Sequence, residues 1–182
     1  MEAQALHMRG ASSSGRKTQD AVRLSANAPA EPTTKVPGPR PLSPWARFYV
    51  YALHGCLCEV AFTAACDWYD TRDRRLAGHS SLWALPMYAS ALCLMERLSA
   101  GLLAYRCPLA LRLVAYTLFI YLWEFSWGVG LGLLGARPWD YSGHRYNLAG
   151  LVTLEYALPW AVASLIAEKH VIQTTLRVRL EL

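Results

Sequence analysis

The amino-acid sequence predicts an all-α fold: a polytopic membrane helix bundle of about four transmembrane helices behind a disordered N-terminal tail. Three observations predict it. Of the 182 residues, 54% are hydrophobic and 17% charged. Those residues are divided sharply along the chain. Residues 1–44 hold no Phe, Trp or Tyr, yet they contain six of the ten prolines (Pro29, Pro32, Pro37, Pro39, Pro41 and Pro44) and the run Ser12-Ser13-Ser14. Beyond them, four apolar runs each reach the roughly 20 residues that a helix needs to cross the hydrocarbon core.

The elements follow in order. Residues 1–44 have too little apolar surface to offset the entropy of ordering them and are expected to form a disordered cytoplasmic tail. The remainder, 45–179, is expected to be a four-span domain with spans at about 45–66, 80–103, 109–136 and 148–167. A water-soluble bundle would show a continuous polar face on each helix. Leu113–Trp123 and Phe125–Ala136 carry no charge at all, so membrane spans are predicted instead. The first run lies too far from the N-terminus to be read as a cleaved leader and is expected to remain as a signal-anchor helix. The connections are short, and Pro108 stands where it can open the third helix. After the fourth span, Lys169, His170, Arg177 and Arg179 form a basic extension.

An even number of spans puts both termini on one side. Eight basic residues near the membrane fall on that side (Arg40, Arg47, Arg97, Arg106, Arg112, Lys169, Arg177 and Arg179). Five fall on the other (Arg72, Arg74, Arg75, Arg137 and Arg145). The bias, with five further basic residues in the tail, predicts cytoplasmic termini of a multi-pass membrane protein. The net charge of +5 is dispersed among apolar runs, which suits topology and anionic lipid and argues against nucleic acid as a partner. The five cysteines show no ligand-pair spacing, so neither a metal nor another cofactor is expected.

The chain also echoes itself. Tyr51-x-Leu53-x-x-x-Leu57-x-Glu59 matches Tyr116-x-Leu118-x-x-x-Leu122-x-Glu124, and Ala84-Leu85-Pro86 matches Ala157-Leu158-Pro159. Glu96-Arg97 likewise matches Glu168-Lys169. Such matches suggest two related hairpins of like orientation.

Ionisable groups inside spans are the informative residues, because a charge at the centre of a bilayer helix costs at least about 2.5–3.5 kcal/mol. Glu59, Glu124 and Glu155 lie inside apolar runs. At a rise of about 1.5 Å per residue they fall about 10, 18 and 10 Å from the same, non-cytoplasmic face. They are therefore the candidate intramembrane polar cluster, with His54, Tyr121, Trp127 and Asp140 as supporting residues. If the carboxyls converge, repulsion and low dielectric favour at least one protonated acid, which suits cation binding, a proton relay or acid–base chemistry. The plainer alternative is that each acid is hydrogen-bonded across helices as packing glue, with Tyr121 and Trp127 as local partners. Asp140 is placed to cap a turn or pair with Arg137 or Arg145. Gly128, Gly132 and Gly135 follow a spacing that lets another helix approach closely. The sequence contains no GxSxG, HExxH, CxxC or P-loop lysine motif, so no catalytic residue is assigned.

The stretches Tyr51-Ala-Leu-His54-Gly55-x-x-Cys58-Glu59-Val60, Tyr121-Leu-Trp123-Glu124-Phe125, Pro138-Trp-Asp140-Tyr-Ser142 and Gly150-Leu-x-Thr153-Leu-Glu155-Tyr-Ala-x-Pro159-Trp160 together resemble the transmembrane protein 229 family. The Trp-Asp-Tyr-Ser piece and Asn147-Leu-x-Gly150 more distantly resemble a bacterial family named as a putative ABC-transporter type IV membrane component. The resemblance implies a multi-pass membrane protein and carries no established site. The expected function is a non-enzymatic scaffold, accessory or lipid-interacting membrane protein. The alternatives are a proton- or cation-coupled transporter subunit and an intramembrane lipid-modifying enzyme, both using the carboxyl cluster. Expected partners are the lipid bilayer and either a second copy of the chain or another membrane protein.

Overall fold

The structure, a computed structural model, describes residues 38–180. The expected tail therefore lies almost wholly outside the described residues. Its last residues do not: Arg40–Pro41 (β1) pairs antiparallel with Arg179–Leu180 (β4), Arg40 opposite Leu180. Paired backbone is thus present before the expected boundary at residue 44, because the two ends of the domain supply each other's backbone partners.

Helix α1 runs Pro44–Thr71. Ser43 caps it, its hydroxyl accepting from the Ala46 N–H at 3.2 Å, and Pro44 occupies the first turn, where its missing N–H costs nothing. The helix passes the expected end at Cys66 and stops at Arg72, which takes a left-handed φ of 58°. The connection then folds back along α1. His79 exchanges two hydrogen bonds with the Thr63 hydroxyl, both 2.9 Å.

Helix α2 spans Ala84–Ala104 and α3 spans Leu109–Leu133, with Pro108 opening α3 as its sequence position predicts. The end of α3 gives Gly135 a role that its spacing did not predict. This residue has φ 64°, and the Gly135 and Ala136 N–H groups donate back to Gly132 O (3.0 Å) and Leu131 O (2.8 Å). That is a helix stop in which a residue without Cβ adopts the left-handed conformation.

The helix expected at 148–167 begins later in the chain. Residues 148–156 are not the start of a helix. Asn147–Leu148 (β2) and Val152–Thr153 (β3) form a tight antiparallel hairpin whose turn residues Ala149 and Gly150 both have positive φ. The Asn147 side chain accepts from the Gly150 N–H at 2.9 Å, and the Leu151 N–H closes the turn onto Leu148 O at 3.0 Å. A 3-10 turn, Leu154–Tyr156, leads into α4, Ala157–Ile166. Helical backbone then continues through a π segment, Ala167–Ile172, into α5, Gln173–Arg177. The rod therefore runs from Ala157 to Arg177, about ten residues further along the chain than its hydropathy suggests.

By length and apolarity α1 and α3 are able to cross a membrane. Helices α1 and α2 pack closely as one hairpin, and α3 packs with α4 as another. The hydrophobic core lies at the end of the bundle nearest the termini: Tyr51, Leu92, Met95, Tyr116, Val171 and Ile172. Tyr51 and Tyr116, matched in the sequence echo, are both fully buried there.

Candidate functional site

Each buried tyrosine stands one helical turn after an arginine, and each pair grips a glutamate from the neighbouring helix. Arg47 Nε lies 3.2 Å from Glu96 Oε2, and the Tyr51 hydroxyl donates to the same oxygen at 2.7 Å. In the second hairpin, Arg112 donates through Nε and Nη2 to the two oxygens of Glu168, each at 3.0 Å. The Tyr116 hydroxyl also donates to Glu168. The i, i+4 spacing of Arg and Tyr puts both side chains on one helix face, which is why the grip forms twice. Arg47, Tyr51 and Glu59 precede Arg112, Tyr116 and Glu124 by the same offset of 65 residues. The two clamps differ in depth. The Arg47–Glu96 side chains are 23% and 17% exposed, whereas those of Arg112–Glu168 are 13% and 2%. Glu168 sits in the π segment of the rod, an irregularity that re-aims side chains within a helix.

Two turns beyond each tyrosine lies an acid of the expected cluster. Glu59 stands on α1 and Glu124 on α3, and each has one carboxylate oxygen without a hydrogen-bond partner. Glu124 is buried on α3, and its Oε1 accepts from the Tyr141 hydroxyl at 2.8 Å. Trp160 of α4 turns its Nε1–H toward the same carboxyl without closing a hydrogen bond. Glu59, half-buried on α1, faces Tyr88 of α2 and Ser80 of the α1–α2 connection. Tyr88 reaches this position because Gly55 of α1 has no Cβ; one placed there would collide with Tyr88. The Tyr141 ring packs edge-to-face on Tyr156 and His144, at 5.4 and 5.6 Å between centroids, and Tyr156 meets Phe62 of α1 at 6.0 Å. An aromatic layer thus joins both hairpins beside the carboxyl pair.

The other expected members lie elsewhere. Glu155 is exposed ahead of α4. It accepts from the Tyr146 N–H at 3.1 Å and from the Thr153 hydroxyl, tying the β2–β3 hairpin to the helix entry. The depth expected for it presumed a helix starting near residue 148, which the hairpin replaces. His54 is exposed on α1. Tyr121 donates to Thr153 O at 3.0 Å and Trp127 packs on Trp123, so neither bonds Glu124. Asp140 accepts from the Ser142 hydroxyl (2.6 Å) and N–H (3.0 Å) and lies 3.5 Å from Arg137. Those donors, Ser142 first, hold its carboxyl below the ordinary aspartate range. Gly128 is a close-approach point, but for the loop residues Trp139 and Leu151; nothing approaches Gly132 within 4 Å.

Sequence reasoning missed Tyr88, Tyr141 and Trp160 at the carboxyl pair, and both arginines of the clamps. The arginines had a signal, since Arg-x-x-x-Tyr precedes both echoed glutamates. Tyr141 had none beyond its motif, because a Trp-Asp-Tyr-Ser loop reads equally well as an interfacial anchor.

A family model described as Putative ABC-transporter type IV matches residues 46–181 of the chain. No solved structure matches it.

Proposed function

The chain belongs to the family described as Putative ABC-transporter type IV, and from that premise we propose that it is a non-enzymatic, four-span membrane subunit serving a transport-related assembly. The P-loop lysine motif is lacking, so the chain takes the part of a membrane component and not of a nucleotide-hydrolysing one. The four quoted stretches support a kinship with the transmembrane protein 229 family as well.

One observation carries this reading: the distribution of polarity is inverted relative to a water-soluble bundle. Large apolar side chains point outward along α1 and α3, among them Leu57 (69% exposed), Leu118 (63%) and Leu122 (67%). Glu124, Glu168, Ser99 and Ser164 are buried. Such a continuous exposed apolar surface needs lipid or partner helices to cover it. Within this reading α2 and the Ala157–Arg177 rod are the remaining two spans. The paired clamps mark two related hairpins, and the basic bias puts both termini in the cytoplasm.

Single-cysteine labelling in membranes tests the topology. In a cysteine-free background, Arg145→Cys and Arg177→Cys are expected to label from opposite faces; labelling of both from one face overturns the four-span arrangement. Native mass measurement in nanodiscs tests the subunit reading, which expects particles holding more than one protein chain.

A further inference from the structure

Charge is matched at one end of the bundle and unmatched at the other. The end away from the termini carries five basic residues (Arg72, Arg74, Arg75, Arg137 and Arg145) and five acidic ones (Asp67, Asp70, Asp73, Asp140 and Glu155). Arg75 and Arg137 there lie against Asp73 and Asp140, and Arg72 and Arg145 lie over aromatic rings. The end nearest the termini carries eight basic residues, and the acids described there are two, Glu96 and Glu168. The clamps turn both acids inward onto Arg47 and Arg112. Eight against two leaves a surplus of six: Arg40, Arg97, Arg106, Lys169, Arg177 and Arg179. All six are exposed, and none has an ion-pair partner among the described residues.

Topology alone does not account for this surplus. The rule that keeps Lys and Arg on the cytoplasmic side takes little notice of Asp and Glu. It explains eight basic residues and not the withdrawal of the two acids. The clamps make that withdrawal locally. In each hairpin the glutamate faces inward, and the next residue, about 100° further round the helix, is an exposed cation: Arg97 after Glu96, Lys169 after Glu168. Arg106 is kept at a backbone cost. It has φ 52°, its N–H donates to Leu103 O (3.0 Å), and the Cys107 N–H donates to Leu102 O (2.9 Å). This is a helix stop whose left-handed position favours glycine. Arg72 adopts the same conformation at the matched end, but its guanidinium rests on Trp68 and Tyr69. Trp45, Tyr49 and Tyr105 are exposed at the unmatched end, and such amphipathic rings suit the headgroup level of a bilayer.

We propose that this end binds the phosphate groups of anionic phospholipids and enriches that lipid around the bundle in one leaflet. Guanidinium forks suit phosphate oxygens, and the exposed rings beside them suit the acyl boundary, which a soluble phosphate lacks. Each cation near the surface is expected to raise association up to about fivefold, the equivalent of about 1 kcal/mol.

The inference rests on the membrane-bundle reading, and electron spin resonance separates the two. The full chain is reconstituted in phosphatidylcholine bilayers with a trace of phosphatidylglycerol or phosphatidylcholine, spin-labelled near the end of an acyl chain. Lipid held against protein gives a motionally restricted signal. A restricted signal from neither lipid defeats the bundle. Given that signal, phosphatidylglycerol should associate severalfold more strongly than phosphatidylcholine. The preference should fall by about twofold to fivefold in each of Arg97→Gln, Lys169→Gln and Arg106→Gly. Arg106→Gly also relieves the left-handed backbone, so its unfolding midpoint should hold or rise while the preference falls. Arg74→Gln, at the matched end, should leave the preference unchanged, and added inorganic phosphate should not displace the lipid. Equal association of the two lipids overturns the proposal and leaves the face to an acidic protein partner. A preference indifferent to all three substitutions, an equal loss in Arg74→Gln, or displacement by inorganic phosphate also overturns it.

Discussion

Glu168 and Glu124 lie on neighbouring elements of one bundle and are both buried, yet their surroundings are opposite. Glu168 receives two hydrogen bonds from Arg112 and one from Tyr116, so its charge is neutralised and its oxygens are occupied. Glu124 receives one from Tyr141, and its second oxygen has no partner. The same contrast separates Glu96 from Glu59 in the first hairpin. The bundle therefore has a layer of closed clamps near its termini and a layer of open acids about two turns further in. A closed clamp fixes how two helices meet; an acid with a free oxygen remains available to a proton or ligand. Burial alone does not leave an acid available; an oxygen without a partner does.

The comparison can be broken at several points. Glu168→Leu strands the Arg112 guanidinium in a buried setting and is expected to cost about 3–5 kcal/mol, read from unfolding in mixed micelles. Glu96→Leu in the more exposed clamp should cost about 2 kcal/mol by the same measurement. Equal losses would show that the clamps' difference in depth has no energetic weight. Gly55→Ala, which drives a methyl into Tyr88, is expected to cost about 1–2 kcal/mol and to loosen α1 from α2. Glu124→Gln should be nearly neutral, under about 1 kcal/mol. It keeps the Tyr141 bond and exchanges an orphan acceptor for an amide donor. A loss as large as that of Glu168→Leu would place Glu124 among the structural carboxylates.

The smallest effect belongs to the loop. Asp140 has its folded-state pKa depressed by Ser142 and Arg137, so its contribution is present above the unfolded aspartate value, about 3.9, and fades as pH falls through the lower folded value. Asp140→Asn should remove that slight acid-side dependence and leave stability at neutral pH little changed.

Much of the arrangement was legible in the residues. Run length located α1, α2 and α3, and the energetic cost of buried charge singled out Glu59 and Glu124. The fourth element was misplaced because hydropathy counts Leu148, Leu151, Val152 and Leu154 as span whatever their backbone does. The Asn147-x-x-Gly150 turn and the β-branched Val152-Thr153 pair were the local signals of a hairpin. With that start lost, Glu155 moved out of the cluster. Gly135 was ambiguous for a related reason: glycine serves both close approach and left-handed stops, and only the backbone tells them apart. The clamps were half legible, since the glutamate echo was visible while their arginines were assigned only to topology. Tyr88, Tyr141 and Trp160 depend on three-dimensional convergence that no sequence spacing encodes.

The expectation that the acids Glu59 and Glu124 form one cluster is tested most directly by a double-mutant cycle. Unfolding free energies are measured for wild type, Glu59→Gln, Glu124→Gln and the double variant in the same lipid mixture. A shared site predicts that the double variant departs from the sum of the singles by more than about 0.5 kcal/mol. Additivity within about 0.3 kcal/mol would mean that the two acids act independently and would contradict the account.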